Sequence, residues 1–162
     1  MQIREATLED IPAIDAIFKR ARTFMSEVGN PTQWAGVYPS AVDAQADVEA
    51  RSGYVFEQDG RVVGTFAFVL GEEPMYQVID DGAWRSNQPY GTIHRIASDG
   101  MVHGLASACF DFCAERMPYL RIDTHARNVP MQRAILKYGF ERCGTVYMPD
   151  GDPRIAFDWL RA

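Results

Sequence analysis

Asp59-Gly60 stands between two apolar-rich runs, Gly53 to Gln58 and Arg61 to Leu70. A glycine in second place of a two-residue connection accepts the positive φ of a tight turn, so the dipeptide predicts a hairpin of two antiparallel strands. The elements around it are set by other spacings. Thr7 precedes Leu8, Ile11, Ile14, Ile17 and Phe18, an apolar stripe at helical period with Glu9 and Asp10 in the first turn, which predicts a helix from about Leu8 to Met25. Gln2 to Ala6 before it is a short opening strand. Gly29 to Ser40 has no period and reads as an ordered loop with two exposed aromatics, Trp34 and Tyr38; Ser40 then caps a helix over about Val42 to Arg51.

Downstream of the hairpin, Gly71 to Pro89 is polar and irregular and reads as a long excursion over a site. Tyr90 to Ser98 is a strand. Leu105, Ala108, Cys109, Phe112 and Cys113 repeat at helical spacing from Gly104 to about Arg116, and Pro118 stops them. A strand over Tyr119 to His125, a helix over Asn128 to Tyr138 ended by Gly139, and closing strands over about Phe140 to Met148 and Arg154 to Leu160 complete the order. The expected architecture is α/β, β-α-α-β-β-β-α-β-α-β-β, in one domain spanning residues 1–162, with mixed strand directions.

The 162 residues suffice for one domain, and a 47% hydrophobic composition gives it ample apolar area for a core. The longest largely apolar stretch, Val62 to Leu70, is far short of the ~20 residues a bilayer needs. Arg4, Glu5, Glu9 and Asp10 occupy the place where a secretory leader would carry a basic head and an apolar run, so a cytoplasmic location is expected. Three cysteines make no disulfide framework, and Cys109 and Cys113 have no histidine at ligand spacing, so buried reduced thiols and no metal are expected. With 16 Lys+Arg against 22 Asp+Glu, a net charge of −6, and no basic cluster, neither nucleic acid nor membrane is expected as a partner. A cationic small molecule or peptide amine is compatible with that balance, and a homodimer is left open.

The chemistry points to Tyr90 to Ala106, which reads as strand, turn and helix start. Such a junction aims backbone N–H groups and the positive end of a helix dipole at one place, suiting a phosphate. Met101-Val102-His103-Gly104-Leu105-Ala106 resembles the acyl-CoA loop of the GCN5-related N-acetyltransferases (GNAT), Gln/Arg-x-x-Gly-x-Gly/Ala, in its glycine and final small residue. Asp123-Thr124-His125-Ala126-Arg127-Asn128, with Gly139-Phe140 eleven residues after Asn128, is similar to that superfamily's strand-to-helix block. The resemblance covers nearly the whole chain and is greatest to a branch with a His-Arg-Ile-Ala stretch (His94 to Ala97) and an Ile-Asp-Thr-His-x-x-Asn stretch (Ile122 to Asn128). It departs in two places. Met101 stands where the loop usually opens on a basic or amide residue, and Ile135 stands seven residues after Asn128, where many members keep a tyrosine that protonates the leaving thiolate.

The resemblance implies acetyl-CoA as cosubstrate, held by Ile96, Ala97 and Ser98 along the strand, by Val102, His103, Gly104, Leu105, Ala106 and Ser107 in the loop, and by Asn128. It also implies direct attack of an amine on the thioester in a ternary complex. That reaction needs a base for an amine of pKa near ~10.4 and a donor for the oxyanion. His94 ranks first as base, on a strand face shared with Thr92 and Ile96, beside the alternative of a histidine bonded within the sheet. His125 and Asp123 follow, beside the alternative that Asp123 pairs Arg121 or Arg95. Trp34, Tyr38, Tyr76 and Trp84 come from segments that flank the acceptor cleft in the resembling fold and could hold an amine by cation–π contact, or simply pack. The competing reading is a non-catalytic acyl-CoA-binding module or sensor. A thiol hydrolase of Cys143, His125 and Asp123 is disfavoured, since no helix start lies behind Cys143 to lower its pKa.

Overall fold

In the computed structural model, which describes residues 1–31, 33–34 and 36–162, the hairpin forms as its turn residues dictate. Asp59 and Gly60 both take positive φ, 54° and 75°, and join strands over Gly53–Gln58 and Arg61–Leu70. In chain order the elements are β1 (Gln2–Glu5), α1 (Ile11–Glu27), α2 (Ala41–Glu49), β2 (Gly53–Gln58), β3 (Arg61–Leu70), β4 (Gly91–Ser98), α3 (Leu105–Arg116), β5 (Tyr119–Thr124), α4 (Val129–Tyr138), β6 (Glu141–Tyr147) and β7 (Pro153–Leu160). This is the expected order, with no end moved by more than three residues. The strands lie as β1-β2-β3-β4-β5-β7-β6. The pairs β1–β2, β2–β3, β5–β7 and β7–β6 are antiparallel, and β4–β5 is parallel.

The helix starts follow from their caps. An acid three residues after Thr7 and after Ser40 turns back on the chain: Thr7 N–H donates to Asp10 Oδ2 at 2.8 Å, and Ser40 N–H to Asp43 Oδ2 at 2.8 Å. The expected first turn from Leu8 is a separate 3₁₀ turn, Leu8–Asp10. Pro12, in the first turn of α1, fits where no N–H is needed. No helix among the described residues is long and apolar enough to cross a membrane.

The chain divides into two compact units, Met1–Phe68 with Arg95–Cys109, and Val69–His94 with Phe110–Ala162. The core of the first gathers Ile14, Ile17 and Phe18 of α1 with Val55 of β2. Trp34 belongs to it: the ring, expected to be exposed, is only 8% exposed because it packs edge-on against Phe18 at 5.9 Å. The core of the second is aromatic, with Tyr76, Tyr90 and Tyr119 packed around Val146 and Ala156. Cys109, Cys113 and Cys143 are all buried free thiols.

Candidate active site

In the first unit, β4 carries an irregularity that its sequence conceals. Arg95 has φ of 53°, a conformation that side chains other than glycine rarely adopt. The two-residue alternation is therefore not continuous along β4, and the face expected to join Thr92, His94 and Ile96 is broken at Arg95. The side chain explains how the conformation is held: Nη2 donates to Asp47 Oδ1 at 2.6 Å, Nε to Asp47 Oδ2 at 3.2 Å, and Nη1 to Tyr38 Oη at 3.3 Å. Arg95 and Asp47 are 17% and 15% exposed, so this forked ion pair is well shielded from water. Arg95 is thus committed to Asp47 and not to Asp123.

The loop after β4 is shaped by its own side chains. Ser98 Oγ accepts from Gly100 N–H and Asp99 Oδ1 from Met101 N–H, both at 2.9 Å, while Asp99 N–H donates to Val63 O at 2.9 Å. Gly104 has φ of 82°, and a Cβ built on it would meet nothing within 4 Å. The glycine is demanded by its backbone angle, and the space beside it is open. Its carbonyl accepts from Ala108 N–H at 3.1 Å, so the N–H groups of Leu105, Ala106 and Ser107 form a first helical turn with no intrahelical acceptors. These features fit an anionic group. Met101, an uncharged side chain, is 68% exposed, and His103 is exposed.

In the second unit, the excursion from Gly71 to Pro89 is tied to the sheet. Asp80 and Thr145 exchange two main-chain hydrogen bonds, at 2.9 and 2.8 Å. Glycines permit the approach, since a Cβ at Gly82 would stand 1.9 Å from Cys143 O and one at Gly144 2.4 Å from Asp80 O. Arg85 clasps Asp158 of β7, Nε to Oδ1 at 2.5 Å and main-chain N–H to Oδ2 at 3.0 Å, and also meets Glu141. Arg121 of β5 is buried against the rings of Trp84 and Tyr90, 4.1 and 4.0 Å from guanidinium carbon to centroid, and donates to Ser86 O at 3.0 Å. It does not reach for Asp123.

This pinning sets a 3₁₀ turn, Pro74–Gln77, against β4 and β5. Glu73, which caps the turn, places Oε2 3.2 Å from His94 Nε2. Tyr76, three residues on, donates its hydroxyl to Asp123 Oδ2 at 2.6 Å. Two of the residues expected to act as base are thus each held by one residue of a single turn. Tyr76 is buried, and burial together with the Asp123 carboxylate pushes its hydroxyl well above the usual tyrosine range, so it stays a donor. The parallel β4–β5 ladder has rungs at Gly91–Leu120, Thr92–Arg121 and Ile93–Ile122, and His94 is the next residue of β4. Thr92 is fully buried with Oγ1 unpartnered among the described residues.

The other expected site residues fall as follows. His125 turns the chain from β5 into α4, its Nδ1 accepting from Arg127 N–H at 3.0 Å. Its Nε2 lies 3.9 Å from Asp152 Oδ2, and burial, with Arg154 next, lowers its pKa below 6.5. Asn128 caps α4, Oδ1 accepting from Met131 N–H at 3.3 Å. Ile135 is fully buried. Burial and a hydrogen bond to Asp158 push the Cys143 thiol up to about 12, which removes it as a nucleophile at neutral pH. Of the four aromatics, Trp34 and Tyr76 are enclosed, whereas Tyr38 and Trp84 remain half-buried.

Sequence reasoning missed Glu73, Asp47, Tyr90 and the shape of β4. Glu73-Pro74 is a legible turn start, an acid before a proline, but nothing local ties it to a histidine 21 residues later.

No family model matches the sequence, and no curated protein does. Solved structures do. A GNAT-family acetyltransferase of Streptococcus agalactiae superposes with a TM-score of 0.89 at 31% identity, covering 99% of this chain and 95% of its own. A ribosomal-protein-alanine N-acetyltransferase of Brucella melitensis, at 21% identity and TM-score 0.64, and the GNAT-like decarboxylase GphF in complex with isobutyryl-CoA, at 16% and 0.69, share the fold. Each covers 99% of this chain and is itself covered over 99% of its length. The identity to the streptococcal protein over almost the full length, joined to the strand order and the loop before α3, makes this chain a member of the GNAT family of acetyltransferases.

Proposed function

We propose that the protein transfers an acetyl group from acetyl-CoA to the primary amine of a small molecule or peptide, with His94 as general base. The observation that carries this reading is the His94–Glu73 pair. If Nε2–H donates to the carboxylate, the lone pair stands on Nδ1, and the carboxylate stabilises the imidazolium formed when that nitrogen takes a proton. The isobutyryl-CoA held by GphF supports acyl-CoA use on this fold. In this chain the open space at Gly104 and the N–H groups of Val102 to Ser107 would receive the pyrophosphate, with Ile96 to Ser98 along the pantetheine arm and Asn128 as a further contact.

The amine nitrogen attacks the thioester carbonyl and forms the C–N bond; its proton passes to His94 Nδ1, the C–S bond breaks, and coenzyme A leaves as thiolate. Main-chain N–H groups of β4 would supply the oxyanion donors. We assign acceptor contact to Tyr38 and Trp84, which keep part of their surface open. Asp123, fixed by Tyr76, is the second candidate base. A cytoplasmic location fits acetyl-CoA as cosubstrate.

The test is thiol release from acetyl-CoA against a panel of amines and peptides, with the product identified by mass. Amine-dependent release with an acetylated product supports the reading. Stabilisation by acetyl-CoA without release across the panel would favour a non-catalytic sensor.

A further inference from the structure

The carboxylate on His94 depends on where the main chain carries Glu73, and one side chain outside the pair fixes that point. Tyr90 Oη accepts the Glu73 main-chain N–H at 2.8 Å. Glu73 is held a second time by its own turn, Oε1 accepting from Met75 N–H at 3.4 Å, a longer contact. Within the turn the Glu73 carbonyl also accepts from Tyr76 N–H at 2.9 Å. The Tyr90 hydroxyl reaches the Glu73 N–H from outside the turn, and its ring is held by its neighbours. The residue is 7% exposed, lies edge-on to Tyr119 at 6.2 Å, and carries the Arg121 guanidinium over its face at 4.0 Å. Arg121 is itself anchored on Ser86 O and, at 3.3 Å, on Tyr119 Oη. Tyr90 and His94 come from one stretch of chain, four residues apart, Tyr90 immediately before β4 and His94 within it, so one segment presents both the base and the hydroxyl that sets the base's carboxylate.

We propose that Tyr90 is a positioning residue: its hydroxyl, clamped by the Arg121 stack, holds the Glu73 main chain so that the carboxylate stays on His94 Nε2. This rests on the reading of His94 as base, and it makes the aromatic core of the second unit part of the chemistry. A hydroxyl whose only task was to satisfy a buried N–H would affect stability alone, whereas a positioning hydroxyl acts on His94 through Glu73.

The test is a cycle of Tyr90→Phe, Glu73→Gln and the double variant, read in two ways. The ring-nitrogen ¹⁵N resonances of His94 at fixed pH report which nitrogen carries the proton, and with three histidines in the chain their assignment is direct. Steady-state kinetics gives kcat and the KM for acetyl-CoA. The expected result is that Y90F moves the His94 resonances part of the way to their place in E73Q. It lowers kcat by about fivefold with KM within about twofold, and has no further effect in the E73Q background. His94 resonances in Y90F identical to the parent, or an undiminished effect of Y90F on E73Q, would overturn the proposal. Should Y90F fail to fold, Arg121→Lys, which keeps the charge but loses the planar stack, must show the same dependence on Glu73. The resonance readout needs no turnover, so a parent protein that transfers no acetyl group would sink the acyltransfer reading while leaving the positioning role decided on its own evidence.

Discussion

His94 Nε2 and Glu73 Oε2 stand 3.2 Å apart, although 21 residues of chain separate them. Both are largely withdrawn from water, at 18% and 20% side-chain exposure, so the carboxylate is weakly screened from the ring. Removing its charge while keeping its shape should weaken the base without unfolding the protein. Glu73→Gln is expected to lower kcat by about tenfold, a modest share of the ~10²–10⁴ that general base catalysis supplies. A kcat unchanged in E73Q would show that His94 does not use this carboxylate.

Asn128 closes the first turn of α4 by accepting from Met131 N–H. Asn128→Ala should cost about 1 kcal/mol of stability, which for a domain of this size is roughly 2–4 °C in Tm. The KM for acetyl-CoA should rise as well if the side chain also reaches the coenzyme. Loss of stability with KM unchanged would leave Asn128 a cap only.

Gly104 and Gly100 provide a matched pair. Each has φ of 82°, and a Cβ at either meets nothing within 4 Å. An alanine at either site should therefore cost the same strain, about 1 kcal/mol, and lower the ligand-free Tm alike. Only Gly104→Ala should weaken stabilisation by acetyl-CoA, because only there would the Cβ occupy the space assigned to the pyrophosphate. Thermal unfolding with and without acetyl-CoA checks this, and equal losses in both variants would remove Gly104 from the site.

Acid should unfold the protein in two stages. Burial and Arg154 lower the pKa of His125 below 6.5, so the unfolded chain takes up that proton first and stability falls as pH drops below 6.5. Burial pushes Asp158 up, yet its hydrogen bonds from Tyr119, from the Arg85 main chain and from the Arg85 guanidinium outweigh this and hold it below 3.8. The stability it contributes is present above 3.8 and is lost as pH falls below that value. Tm measured from pH 8 to pH 3 should show both limbs. His125→Gln should flatten the first and Asp158→Asn the second; a first limb unaltered in His125→Gln would assign it to another group.

What the sequence disclosed was local. Asp59-Gly60, the caps Thr7 and Ser40, and Gly139 each act within a few residues of their own position, and each stands at the turn or helix end its spacing predicted. The loop Met101 to Ala106 was legible because a glycine before a helix start is a local requirement. The long-range pairs were not. Asp47 holds Arg95 from 48 residues away, Asp158 receives Arg85 from 73, and Tyr90 meets a main-chain N–H 17 residues earlier. Arg95 misled for a physical reason: its side chain shields a left-handed residue inside a strand, which alternation alone cannot reveal. Trp34 misled because its partner, Phe18, lies on a helix that ends before the loop begins.

The central claim is that this chain moves an acetyl group to an amine with His94 as base, and the most direct measurement is acetylated product formed per unit time by the parent and by His94→Ala, side by side at saturating acetyl-CoA. The account predicts amine-dependent product from the parent and a rate about 10²-fold lower in H94A, with the stabilisation by acetyl-CoA retained in both. A variant that binds acetyl-CoA, stays folded and transfers within twofold of the parent would contradict it.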